Sequence, residues 1–230
     1  LPPMVREYAL PRWVVEKYHI RRLGFHGISH WWAASASAKK RKMALRSWGG
    51  VTVHLGSGSS ITVWKNGHPI DTSMGFSPIS GPMMATRSGD LDPLLPMFLV
   101  RQAGMTPQRV ETMMSEESGF RGVTGSPDIR DALSALGHHQ VGWPPANHVD
   151  RSDARLALNM FTYEVAKFIG SYRSMIPAES PVVFTGAIGE NASIRKHILS
   201  WIHRGFQPPV EVVHADEERA MVAMLDSVIY

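Results

Sequence analysis

The pattern of apolar and polar positions changes character along the chain. Val51-Thr52-Val53-His54-Leu55 and Ile61-Thr62-Val63-Trp64 are short β-rich runs, divided by Gly56-Ser57-Gly58 and closed by Asn66-Gly67. An Asn-Gly pair between apolar runs is a hairpin signal, so residues 48–71 are expected to form a three-stranded meander. Farther on, Leu158, Phe161, Val165, Phe168, Ile169 and Tyr172 recur at helical spacing, which predicts an amphipathic helix over 153–175. Asp92-Pro93 before Leu94, with Gly104 as a stop, predicts one shorter helix, and Thr106-Pro107 opens another. Pro181 to Phe184 reads as a short buried strand. It is followed by a Gly-rich stretch and a helix with Ile194, Ile198, Trp201 and Ile202 on one face. Val210 to Val213 reads as a last strand, and Asp216-Glu217-Glu218 opens a terminal helix. Residues 4–19, mixed in character around Pro11, read as a connecting segment with some helix. Strands first, then mixed elements, imply an α/β domain with a mixed sheet.

Composition narrows the function classes. The 230 residues are 43% apolar and 19% charged, an ordinary globular balance. The net charge of +4 suits anionic ligands such as nucleotides or phosphates, and would suit nucleic acid too. The one basic run, Lys39-Lys40-Arg41-Lys42, lacks interleaved aromatics and a nucleic-acid reader fold, so it reads as a solvated face and no nucleic-acid partner is expected. With no cysteine, disulfide and thiolate-metal chemistry are excluded, which fits a reducing cytosol. No apolar run is long enough to span a bilayer, so no membrane association is expected and the location reads as cytoplasmic. The start, Leu1-Pro2-Pro3-Met4, has no signal-peptide pattern and reads as a fragment or a processed chain.

Four segments carry candidate chemistry. In Gly24-Phe25-His26-Gly27-Ile28-Ser29-His30, two histidines four apart fit a metal pair, a structural histidine or an anion contact; the flanking glycines allow close approach. His54-Leu55-Gly56-Ser57-Gly58-Ser59-Ser60 offers backbone N–H groups and small hydroxyls of the kind that cradle phosphate, or is an ordinary Gly-Ser turn. It is not a Walker A loop, because a strand and not a helix follows. In Thr86-Arg87-Ser88-Gly89-Asp90, an arginine among small residues can present its planar fork to phosphate or carboxylate, or be a surface charge. Finally, the turn from Val182 to Asn191 leads a strand into a helix and lets a ligand approach the backbone.

Taken in order, the stretches RRLGFHGISH, VTVHLGSGSSIT, NGHPIDTSMGFSPISGPMMATRSGDLDP, ESGFRGVTGSPDIRD and VVFTGAIGEN resemble the acetate and propionate kinase (acetokinase) family of the actin-like ATPase superfamily. The resemblance implies an actin-like ATPase, ribonuclease H-like α/β fold with a mixed sheet and flanking helices. Residues 1–230 would be the C-terminal nucleotide-binding domain, with 1–20 as connecting segment. The implied activity is transfer of a phosphoryl group from ATP to acetate or another short-chain carboxylate, giving acetyl phosphate and ADP, with Mg²⁺. By resemblance, His26 and Arg87 are catalytic, and Phe25 and Pro78 wall the acyl pocket. His54, Gly56, Ser57 and Gly58 lie over the ATP phosphates. Asp128, Ile129 and Arg130, with Gly186, Ala187, Ile188, Gly189 and Asn191, lie toward the adenosine, and Glu217 helps to place Mg²⁺. A homodimer is implied as well.

The chain departs from the family pattern at several points. Ser57 stands where the family usually has Asn, and Ala187 where it has Gly. The stretch from Asn191 to Glu217 is shorter, and His214-Ala215 replaces Pro-Thr. The family's N-terminal phosphate loop, carboxylate-binding Arg and Mg²⁺-supporting Asp have no counterpart here. These departures favour a kinase whose activity needs a further N-terminal segment. The alternative is a non-catalytic nucleotide-binding or dimerising remnant of such a kinase.

Overall fold

The computed structural model describes residues 1–138, 143–145 and 148–229, and for 206, 217 and 225–229 the backbone alone. In chain order the elements are α1 (Pro3–Arg6), α2 (Arg12–Tyr18), α3 (Gly27–Lys40), β1 (Gly50–Leu55), β2 (Ser59–Lys65), β3 (His68–Thr72), α4 (Leu94–Gln102), α5 (Pro107–Glu116), α6 (Gly119–Thr124), α7 (Ile129–Ala135), α8 (Arg151–Arg173), β4 (Val182–Thr185), α9 (Ala192–Ser200), β5 (Val210–Val212) and α10 (Glu217–Ile229). The chain divides into two compact units, one made of residues 1–78 with 165–230, the other of 79–164. None of the described helices is long and apolar enough to cross a membrane.

The first unit is built on a five-stranded mixed sheet in the order β3-β2-β1-β4-β5. The expected meander supplies the antiparallel part, β1 with β2 and β2 with β3. β4 then pairs parallel to β1, and β5 parallel to β4. Paired residues share a sheet face. Val51, Val53, Leu55, Ile61, Val63 and Phe184 therefore line one side, all fully buried. Thr52, His54, Ser60, Thr62 and Trp64 line the other, also buried. That second face is covered by α3, whose Ala33, Ala34 and Ala38 pack against Trp48, Trp64 and Val183. Small side chains let the helix come close, and Trp48 Nε1 donates to Ser37 Oγ at 3.0 Å. A sheet buried on both faces explains why polar residues in β1 and β2 must find partners inside the protein.

The second unit is helical. Thr106 caps α5 as expected, its hydroxyl accepting from Arg109 N. α4 starts one residue later than the Asp92-Pro93 pair predicts: Pro93 is at the cap, and Asp92 Oδ1 accepts from Leu94 N. The long helix α8 begins at Arg151, two residues before its predicted start; its residues 151–164 belong to this unit, with Leu158 and Phe161 buried, and its residues 165–173 to the first unit, with Val165, Ile169 and Tyr172 buried. In the first unit, Ile194 and Ile198 are buried on α9, but the helix ends at Ser200. Trp201 therefore does not continue the apolar face, and it is 48% exposed.

Candidate active site

In the first unit, the start of α3 meets the end of β1 and the β1–β2 turn. His26 is the N-cap of α3 and holds φ +58°, a left-handed conformation that non-glycine residues rarely adopt. Such strain costs about 1–3 kcal/mol and persists only where the surroundings fix it. Here two contacts do so: His26 Nδ1 lies 2.8 Å from Ser60 Oγ, and its ring stacks on His54 with centroids 4.3 Å apart. The two histidines four residues apart thus converge on one serine, because His30 Nε2 lies 2.7 Å from the same Ser60 Oγ. His30 Nδ1 is 2.8 Å from Thr52 Oγ1, and Ser29 Oγ is 2.8 Å from His54 Nδ1. Burial, and then the neighbouring imidazoles, hold the pKa of His30 well below its ordinary value. Burial and His26 likewise lower that of His54, to about 4. Both rings are therefore neutral near pH 7. Among the described residues, no group of three or more His, Asp or Glu side chains is arranged to hold a metal ion.

His54 lies on β1 itself, and the turn proper is Gly56-Ser57-Gly58. Gly56 N–H donates to Gly58 O at 2.9 Å, which closes the turn. Ser57 is exposed, and among the described residues no loop or turn hydrogen bond to a backbone acceptor engages the N–H of Ser57 or Gly58. Two fully buried hydroxyls nearby, Ser59 Oγ and Thr185 Oγ1, have no hydrogen-bond partner. Donors of this kind fit an anionic oxygen ligand such as a phosphate.

The loop after β4 has a different reason for its glycines. Gly186 has φ +82°, and a Cβ there would sit 2.5 Å from Leu55 O. A Cβ on Gly189 would sit 2.3 Å from Thr185 O. The N–H groups of Ile188 and Gly189 both donate to Leu55 O. The glycines thus let the loop pack against the end of β1, placing exposed Ala187 beside the β1–β2 turn's strand. Asn191 caps α9, its Oδ1 accepting from Ser193 N and Ile194 N. Glu190 fixes the stretch before α10: it pairs with His214 Nδ1 at 2.7 Å and accepts from Ala215 N. The side chain of Glu217, the expected Mg²⁺ residue, lies outside the described residues. Phe25 and Pro78 are half-buried in this unit.

In the second unit, half-buried Arg87 lies on a loop moulded onto the α5–α6 junction. Met84 O accepts from Phe120 N, Thr86 O from Ser118 N, and Met114 O from Ser88 N. Gly119 makes this approach possible: its φ is +63°, and a Cβ would lie 2.1 Å from Met84 O and 2.8 Å from Arg87 O. Asp128 caps α7 through Arg130 N, and its carboxylate pairs with the Arg130 guanidinium at 2.9 and 2.6 Å. The Arg130 hydrogen bond holds the Asp128 carboxyl below the usual carboxylate range. Arg130 also stacks over Trp143, 3.6 Å from its centroid, and Ile129 is buried. These two charged residues thus meet each other, with an aromatic floor that sequence reading did not single out.

Sequence reading named His30, with a structural role among its alternatives, and Ser60 as one of several small hydroxyls, but it gave Thr52 no role and did not bring the three together inside the histidine cluster. The signal for Thr52 was present: a polar side chain inside a β-rich run that also carries His54.

A family model described as the acetokinase family matches residues 1–226. An acetate kinase of Methanosarcina thermophila is 42% identical over 202 residues, 87% of this chain and 47% of that protein. An acetate kinase of Sulfurovum sp. is 37% identical over 201 residues, 86% of this chain and 48% of that protein. The chain spans about half the length of the curated relatives it matches. Among solved structures, an acetate kinase of Porphyromonas gingivalis superposes with a TM-score of 0.87 at 28% identity, covering 100% of this chain and 61% of that one. A propionate kinase of Francisella tularensis gives 0.84 at 31% identity, covering 96% and 59%.

Proposed function

This chain belongs to the acetokinase family, with that family's actin-like mixed sheet and flanking helices, and from that premise we propose that it serves ATP-dependent phosphoryl transfer to a short-chain carboxylate, acetate first among them. In that reaction the bond from the γ-phosphorus to the bridging oxygen breaks, and a bond from a carboxylate oxygen to the phosphorus forms. ADP leaves, and no proton needs to move, so the protein's work is positioning and charge neutralisation. The observation that carries this reading is the family match over residues 1–226, which includes the histidine cluster and the turn beside it.

His26 and Arg87 are the groups assigned to the equatorial oxygens of the transferring phosphoryl, with Arg87 also holding the carboxylate. The N–H groups of Ser57 and Gly58 suit the ATP phosphates, with Gly56 giving the turn its shape and neutral His54 backing it. Residues 186–191, with Asp128, Ile129 and Arg130, are assigned to the adenosine side. Phe25 and Pro78 are assigned to the acyl methyl group. Mg²⁺, when bound with the nucleotide, neutralises charge on its phosphates, and Glu217 is the residue assigned to it. A cytoplasmic homodimer acting on ATP and ADP completes the reading.

The first test is titration calorimetry with Mg²⁺ and ATP or ADP. Binding that weakens when Gly58→Pro removes an N–H from the turn supports the reading. A folded chain that takes up neither nucleotide contradicts it.

A further inference from the structure

The hydrogen bonds behind His26 have a direction, and it starts at Trp64. An indole N–H can only donate, and Trp64 Nε1 donates to Thr52 Oγ1 at 2.9 Å. Thr52 Oγ1 has one proton and two lone pairs. Its proton goes to Thr62 O at 3.3 Å, and one lone pair takes the Trp64 proton. The remaining lone pair faces His30 Nδ1 at 2.8 Å. All three contacts of Thr52 are met together only if His30 carries its proton on Nδ1. His30 is 2% exposed and kept neutral by burial, so it has a single ring proton and its Nε2 must accept. The Ser60 hydroxyl, 2.7 Å away, donates to it. That leaves the Ser60 oxygen as the acceptor toward His26 Nδ1 at 2.8 Å.

We infer that Trp64, Thr52, His30 and Ser60 form a relay that fixes the proton of neutral His26 on Nδ1, the opposite of the Nε2–H form that free histidine favours in water. All five side chains belong to the same unit, on α3, β1 and β2 and at the cap of α3. The consequence for chemistry rests on the kinase reading above. With Nδ1–H held by Ser60, Nε2 can donate to a phosphoryl oxygen only when the ring carries a second proton. Donation from His26 to the transferring group would therefore be made by the imidazolium, through a charge-assisted bond, and not by the neutral ring. His54, stacked on His26, and His30 behind Ser60 are both kept neutral by burial, so neither of these rings adds a positive charge beside it. Trp64, Thr52, His30 and Ser60 are positioning residues in this account.

The test is a long-range proton–nitrogen correlation spectrum of the ¹⁵N-histidine-labelled chain at about pH 8, above the ordinary histidine range. The His26 signals are assigned by their loss in His26→Gln. The expected spectrum has a protonated-type Nδ1 and an unprotonated-type Nε2. In Thr52→Val/Trp64→Phe, His30 loses its Nδ1 acceptor and the indole donor leaves with it. His30 then donates from Nε2 to Ser60, Ser60 donates to His26, and the two His26 nitrogen shifts exchange character. Nε2–H in the wild type, or an unchanged His26 in the folded double variant, overturns the relay. Should the double variant not fold, Ser60→Ala decides: a return to Nε2–H supports the relay, and retained Nδ1–H overturns it. Adding ADP and Mg²⁺ to the same sample separates the two claims. His26 signals that ignore the nucleotide count against the kinase reading and leave the relay untouched.

Discussion

The rings of His26 and His54 stack with centroids 4.3 Å apart and 29° between their planes. A charge on one ring therefore opposes a charge on the other, and burial decides which ring yields. His54 is only 9% exposed, and its pKa is lowered to about 4. It is a neutral aromatic backing against which the His26 ring stacks.

Stability should fall as pH drops below the ordinary histidine pKa. The unfolded chain binds protons at His30 and His54 near 6.5, whereas the folded chain resists them, down to about 4 at His54. The unfolded state thus holds more protons in that window, so acid favours unfolding. His54 alone accounts for roughly 3 kcal/mol of loss between pH 7 and pH 4. Denaturant midpoints across this range check it, and His54→Gln should flatten the slope.

Removing the imidazole of His26 should impair turnover more than nucleotide binding. Loss of one preorganised donor to a developing charge typically costs about a hundredfold to a thousandfold in kcat. His26→Ala is expected in that range, with nucleotide affinity changed by less than about tenfold. Calorimetry beside an activity assay separates the two quantities.

Gly119→Ala should disturb Arg87 without touching it chemically. The added Cβ meets Met84 O at 2.1 Å at a backbone φ of +63°. The strain and the clash should destabilise the chain by at least about 2 kcal/mol, read from thermal or denaturant midpoints. In protein that remains folded, activity should drop as it does in an Arg87 variant.

Arg41 does not behave as the solvated end of a basic run. Its Nε pairs at 2.8 Å with Glu211, whose side chain is 8% exposed and whose Oε2 has no partner. Arg41→Ala leaves that carboxylate buried alone and should cost about 1–3 kcal/mol, the guanidinium being a third exposed. Adding Glu211→Leu should recover most of the loss in a double-mutant cycle.

Local signals were legible in the sequence because local chemistry sets them. Asn66-Gly67 closed the predicted hairpin, Thr106 capped its helix, and the Leu158 to Tyr172 spacing marked a helix buried along one face. The missed features depend on register between distant segments. Nothing local says that β4 runs parallel to β1, so the packing of Gly186 on Leu55 was invisible, and those glycines read as a ligand approach. The same holds for the partners of Ser60, a candidate hydroxyl in the sequence, which are histidines 34 and 30 residues earlier at and in α3. His26 and Arg87 were legible as candidates through the family motifs. The partners that fix His26 were not, because Thr52 and Trp64 look like ordinary strand residues until the sheet is paired.

The most direct test of the account is acetyl phosphate formation, trapped as the hydroxamate, with ATP, Mg²⁺ and acetate. It is run on the chain alone and with the portion of a relative that the chain does not cover. The account predicts hydroxamate in at least one of these arrangements, falling about a hundredfold or more in Arg87→Ala. Undiminished signal in Arg87→Ala, or none from folded chain in either arrangement, contradicts it.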